Sequence, residues 1–165
     1  MNASNIVIRS ATRADVPLIL ALIKELAEYE RLTHEVTANE QRLSHYLFGD
    51  SPKAEVLIAE LDGEAGGFAL YFHNFSTFLA KPGIYLEDLY VRSALRGRGM
   101  GEALLRRLAQ IAVERGCGRL EWAVLDWNEP AIGFYKRLGA TPMNEWTVHR
   151  VAGDALARLA SGTPA

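Results

Sequence analysis

Cysteine is almost absent: Cys117 is the single one among 165 residues. One thiol excludes an intramolecular disulfide and any cysteine-based zinc cluster. It fits a reducing compartment and reads as a passive small residue at a helix end. Histidine is nearly as scarce. His34, His45, His73 and His149 are scattered without metal-ligand spacing, so no metal is expected. No apolar run approaches membrane-spanning length. The first residues, MNASNIVIRS, lack the basic start and apolar core of a secretion signal, and the expectation is a cytoplasmic chain. A basic excess is missing too: 18 Lys and Arg against 20 Asp and Glu give a net charge of -2, so no overall field draws nucleic acid. There is no internal repeat, no low-complexity segment and no linker long enough to divide domains.

What remains is the composition of a globular domain with a real core, 49% hydrophobic and 23% charged, read as one domain over residues 1–165. Glu25, Glu28, Glu30, Glu35 and Glu40 crowd one short stretch. A solvated helix face is the common meaning, and attraction of a cation the sharper one.

Periodicity supplies the elements. NIVIRSAT reads as a strand. Asp15 then caps a helix with Pro17 in its first turn, and Val16, Ile19, Leu20, Ile23 and Leu26 form its apolar stripe to about residue 30. Thr37 is expected to cap a second helix ending near LFGD. AEVLIAEL and GGFALYFHNF are strands joined through a hairpin turn at Asp62-Gly63. IYLEDLYV is the next strand. A helix follows with Met100, Leu104, Leu108, Ile111 and Ala112 on one stripe, and Gly116 ends it. RLEWAVL is a strand. NEPAIGFYKRLG is a helix capped by Asn128 and stopped at Gly139. WTVHRV reads as a last strand and GDALARLA as a short final helix. The order β-α-α-β-β-β-α-β-α-β implies an α/β (α+β) fold with a mixed sheet.

The segment RGRGMG, residues 96–101, sits at a strand-to-helix junction. Backbone N–H groups at a helix start bind anions, and glycines let the backbone come close. A Walker loop would need Gly-Lys-Ser/Thr where the chain has Glu102 and Ala103. The dinucleotide fingerprint starting at Gly97 would need glycine at 102. What is left is R-x-x-G-x-G: Arg96, Gly99, Gly101. A glycine turn serving only tight strand–helix packing is the competing reading.

Together with N-x-x-A-x-x-F-Y-x-x-L-G-A, from Asn128 to Ala140, this pattern resembles the GCN5-related N-acetyltransferase (GNAT) family. The resemblance implies the GNAT fold, a mixed central sheet with helices on both faces. It also implies acetyl-CoA as co-substrate, with its pyrophosphate at the glycine loop. IKELAEYE, YLEDLYV and LDWNEPAIGFYKRLGA are similar to the diamine acetyltransferases, both the spermidine/spermine and the thialysine branches. Ser76 and Phe78 stand where the polyamine branch typically carries an acidic residue and a tryptophan. FST and AVLDWN lean toward the thialysine branch.

Acetyl transfer to an amine needs a neutral amine, a stabilised oxyanion and a protonated leaving thiolate. A lysine-like amine with a pKa near ~10.4 is almost wholly protonated near neutral pH, so a base helps. Glu87 is the candidate, a carboxylate on an otherwise apolar strand; a structural ion pair is its other reading. Alternation puts Glu87 and Asp88 on opposite faces unless a bulge intervenes. Asn128, Ala131, Tyr135 and Leu138 share one helix face. By resemblance Tyr135 is the general acid for the coenzyme A sulfur; otherwise it is a core aromatic.

The resemblance assigns acetyl-CoA contacts to Leu89, Tyr90 and Val91 on the strand, and to Arg96, Gly97, Arg98, Gly99, Met100, Gly101 and Glu102 in the loop. It adds Asn128, Ala131 and Tyr135 further on. For the acceptor it implicates Tyr29, Glu30, Ser76, Thr77, Glu87, Glu121 and Trp122. The acceptor is then a small primary amine, attacked directly. A protein lysine or N-terminus, or a non-catalytic acetyl-CoA-binding module, are the alternatives. The resemblance also implies a homodimer.

Overall fold

Among the described residues five strands make one sheet, in the order β1 (Ile6–Ser10), β2 (Glu55–Leu61), β3 (Glu64–Ser76), β4 (Lys81–Val91), β5 (Leu120–Trp122). The computed structural model describes residues 5–162. Helices are α1 (Val16–Tyr29), α2 (Glu40–Phe48), α3 (Met100–Glu114), α4 (Glu129–Arg137) and α5 (Gly153–Ser161). Strands β1 to β4 run antiparallel, and β5 joins β4 in parallel, so the sheet is mixed as the element order implies. Contacts divide the chain into two compact units, Met1–Ala123 and Val124–Ala165.

In the first unit the strands alternate. Val56, Ile58, Phe68 and Tyr90 form one cluster with Ile19, Leu22 and Leu26 of α1 and Leu47 of α2. Leu57, Ala59 and Ala69 point the other way and are equally buried. The apolar stripe of α3 (Met100, Leu104, Leu108, Ile111, Ala112) is buried as its spacing predicts. Phe68 is fully enclosed, and removing such a ring costs about 3–5 kcal/mol. On α1 the buried stripe is rotated from the expected one: Leu22 is at its centre and Leu20 is only half-buried.

Two caps move. Asp15 makes no cap bond to α1. Its carboxylate instead accepts the Thr12 backbone N–H at 2.7 Å and both terminal nitrogens of Arg9 at 2.8 Å. A short 3-10 turn, Arg13–Asp15, precedes the helix and takes the capping one turn earlier. For α2 the cap is Asn39, which accepts from the Arg42 backbone N–H, and not Thr37. The Asp62-Gly63 turn, with both residues at positive φ, is the expected hairpin.

In the second unit, α4 starts at the Asn128 cap and α5 covers the expected final helix. WTVHRV forms no strand. A strand needs a neighbour for its backbone groups, and this unit contains no other among the described residues.

Candidate active site

Glycine Gly66 is the first device that shapes the site. Ala59 pairs with Gly67 and Glu60 with Ala65, leaving Gly66 as the extra residue of a bulge. A Cβ on Gly66 would lie 2.2 Å from Leu95 Cδ1, so the side chain of Leu95 occupies that space. The Gly66 carbonyl accepts the Arg92 N–H at 2.8 Å, and the Arg92 guanidinium grips Glu25 of α1. The approach to the RGRGMG loop is therefore held from both sides.

The loop itself reaches α3 through Gly97 and Gly99, with φ of 72° and 91°, conformations that side chains disfavour. The first intrahelical bond runs from the Ala103 N–H to the Gly99 carbonyl. The N–H groups of Met100, Gly101 and Glu102 thus have no partner within the helix and carry its positive dipole end. Nothing lies within 4 Å of where a Gly97 Cβ would be, so packing does not explain that glycine. The side chain of Met100 is buried, leaving only its backbone for a ligand. Glu102 pairs with Arg106 at 2.7 Å, and Arg98 reaches Asp62 at 3.3 Å.

Strand β4 carries the second device. Leu70 pairs with Asp88 but Tyr71 pairs with Leu86, so Glu87 is the extra residue of a second bulge. The bulge corrects the alternation expected for the two acids. Asp88, opposite Leu70, belongs to the α1 face. Glu87 lies between Tyr85 and Asp88 and acts electrostatically on both. Asp88 is pushed up to about 6, first by burial and then by the negative charges of Glu87 and Glu30. Burial also raises Glu30, which directly follows α1. The Tyr85 phenol is raised by burial, then by Glu87 and Glu121.

Past the bulge, β4 loses its parallel neighbour. Strand β5 pairs only over Ile84–Leu86, while β4 continues through Leu89, Tyr90 and Val91 to the loop. No strand covers that edge of β4 beyond Leu86 among the described residues. An edge without a ladder partner is the kind an extended ligand pairs with, and this one runs toward the α3 N-terminus.

The remaining expected residues divide. Glu30 and Glu87 each act electrostatically on Asp88, which links them. Tyr29 ends α1, its ring 4.5 Å from the Arg96 guanidinium. Glu121 sits opposite Tyr85, accepts from Asn74 at 3.0 Å and pairs with Arg119 at 2.6 Å. Trp122, opposite Leu86, is half-buried on β5. Ser76 and Thr77 do not join them. Ser76 is 5% exposed, and its hydroxyl accepts the Leu79 N–H in the β3–β4 turn. It lies opposite Lys81, six strand positions from Glu87, or about 20 Å. In the second unit Asn128 accepts the Ala131 N–H, and Tyr135 lies on the same α4 face as both. Asp88 is the residue that sequence reasoning passed over; its signal was a second carboxylate on an apolar strand.

A glycine-rich helix start beside a strand edge without a ladder partner suits an acyl-coenzyme A transferase. A profile described as the Acetyltransferase (GNAT) family matches residues 19–140, and the chain belongs to that family as an N-acetyltransferase. Among its relatives is the thialysine N-epsilon-acetyltransferase of Bos taurus, 39% identical with 94% of this chain and 97% of the relative covered. An L-ornithine N5-acetyltransferase of Arabidopsis thaliana is 36% identical, with coverage of 90% and 85%. A solved integron cassette protein from the mobile metagenome of V. cholerae superimposes with a TM-score of 0.79 at 30% identity, covering 94% of this chain and 97% of that one.

Proposed function

We propose that the chain transfers acetyl from acetyl-CoA to the primary amine of a small cationic substrate, of the thialysine, lysine, ornithine or diamine kind. The observation that carries this reading is the β4 bulge. It brings Asp88 under the influence of both Glu87 and Glu30 where β4, past its pairing with β5, leads to the glycine loop. Three carboxylates, two of them with raised pKa values, are costly unless a cation arrives. The names of the thialysine and ornithine acetyltransferases support the amine class.

The loop fits coenzyme A by its donors. The N–H groups of Met100, Gly101 and Glu102 face a pyrophosphate, with Gly97 and Gly99 allowing close approach. The backbone of Leu89, Tyr90 and Val91 holds the pantetheine arm and one N–H stabilises the oxyanion, as preorganised amides do when water is excluded. Acetyl-CoA supplies the activated acyl group. Asp88 and Glu30 retain the cationic substrate. Glu87, exposed at the bulge, takes the amine proton through water. Tyr135, from the α4 motif that resembles the family's, protonates the thiolate. The family match runs across the boundary between the two units, which supports their working as one acetyltransferase domain. The homodimer implied by resemblance would cover Phe75, Phe78 and Leu79, which are exposed at the β3–β4 turn.

An amine panel followed by coenzyme A release tests the reading. Amino acids with a side-chain amine should be acetylated faster than spermidine, as the thialysine and ornithine acetyltransferases among the relatives suggest. A marked spermidine preference would overturn that ranking, and no release with any amine would overturn the function. Tyr135→Phe should lower kcat at least tenfold with little change in acetyl-CoA affinity; near-normal turnover removes the acid role.

A further inference from the structure

The geometry points to Arg96 as a positioning residue that couples the glycine loop to the amine-binding end of α1, instead of serving as a ligand of the pyrophosphate. Three contacts define it. Its guanidinium carbon is 4.5 Å from the centroid of the Tyr29 ring and 5.4 Å from that of Tyr90. Its Nε donates to the Val91 carbonyl at 2.8 Å. An arginine laid against two rings, with Nε already used, has lost the side-on fork that arginine otherwise offers a diphosphate and is tied instead to Tyr29, Tyr90 and Val91.

What Arg96 touches matters more than what it leaves. Tyr29 is the last residue of α1, and Glu30 follows it directly. The chain then reverses through Arg31 at φ 62°, held by the Arg31 and Leu32 N–H groups on the Glu28 and Ala27 carbonyls. The end of α1 therefore has a backbone lock and, at Tyr29, a side-chain pin that belongs to the first residue of R-x-x-G-x-G. Tyr90 is two residues from Asp88 on the same face of β4. A ligand that orders residues 96–101 orders Arg96, and through it Tyr29 and Glu30. Acetyl-CoA and the amine should then bind with positive coupling, reciprocal by thermodynamic necessity.

The amine half of this inference rests on the function proposed above; the loop-to-helix half does not. The first measurement is hydrogen exchange at the Arg31 and Leu32 amides with and without acetyl-CoA. Protection should increase in the wild type and stay flat in Arg96→Met. The second is calorimetric affinity for acetyl-CoA, expected to change less than threefold in Arg96→Met and Arg96→Lys. The third is the amine KM, expected to rise about tenfold in both, from the cation–π contacts to Tyr29 and Tyr90 and one hydrogen bond. Lysine keeps the charge but loses the plane, so full rescue by Arg96→Lys would overturn the proposal. So would an acetyl-CoA affinity loss as large as the KM rise, or equal protection in both proteins. Tyr29→Leu combined with Arg96→Met should be no worse than either alone, and additive losses would count against the pin. If the wild type acetylates no amine yet shows the protection difference, the proposed function fails and the coupling stands.

Discussion

At Asp88 the chain keeps a carboxylate where burial and two neighbouring acids oppose its ionisation. Its folded pKa of about 6 lies above the ordinary 3.8. Between those values the folded chain holds a proton that the unfolded chain has released, so stability falls as pH rises through that window. Asp88→Asn removes the penalty. It should raise stability at pH 7, by at most about 3 kcal/mol, while raising the amine KM at least tenfold. Denaturant melts at pH 4 and pH 7 check the first part: the gain should be small at pH 4 and large at pH 7. Glu87→Gln should lower turnover most at low pH, where free amine is scarcest, and an unchanged pH–rate profile would remove its role as base. Glu87 was legible from sequence as a polar residue on an apolar strand. Its partnership with Asp88 was not, because an extra residue in one strand is visible only once the pairing partners are known.

Bulges do at the scale of elements what these acids need. One in β4 ends the pairing with β5, and one at Gly66 seats Leu95 beneath the loop. Gly66→Ala forces Leu95 off its seat, and overpacking of this kind costs about 1–3 kcal/mol. A lower Tm together with weaker acetyl-CoA binding is expected, and unchanged binding would mean the bulge does not set the loop. At the far end of α3, Arg115 holds Glu55 at 2.6 and 2.8 Å. That pair keeps the Glu55 carboxyl below its usual value, so its stabilisation is present above about pH 4.5 and fades as pH falls through the lowered value. Glu55→Gln should therefore lower Tm most at neutral pH, with a deficit that shrinks as pH falls below the ordinary carboxylate range. The apolar stripe of α3 and the α4 cap were readable from spacing. The cap of α1 was displaced because Asp15 closes the preceding 3-10 turn on the Thr12 N–H while pairing with Arg9, and α2 is capped by Asn39 in place of Thr37.

For the whole molecule, ligand binding and folding are linked. Acetyl-CoA at a hundredfold excess over its Kd should add about 2.7 kcal/mol, or roughly 5–10 °C in Tm for a chain of this size. Pantetheine without the diphosphate should shift it far less if the glycine loop is the anchor; equal shifts would place the affinity elsewhere. Sequence alone determined the glycine-rich turn into α3, the apolar stripe and stop of that helix, and the family. Each depends on residues close together in the chain, where glycine φ preferences, capping and the 3.6-residue period act locally. Tertiary structure decided which acids share a face, how far Asp88 is desolvated, that WTVHRV finds no strand in its own unit, and that Arg96 meets Tyr29. Those outcomes depend on strand register and on charges brought together from positions 29 to 96, and no local pattern encodes such distances.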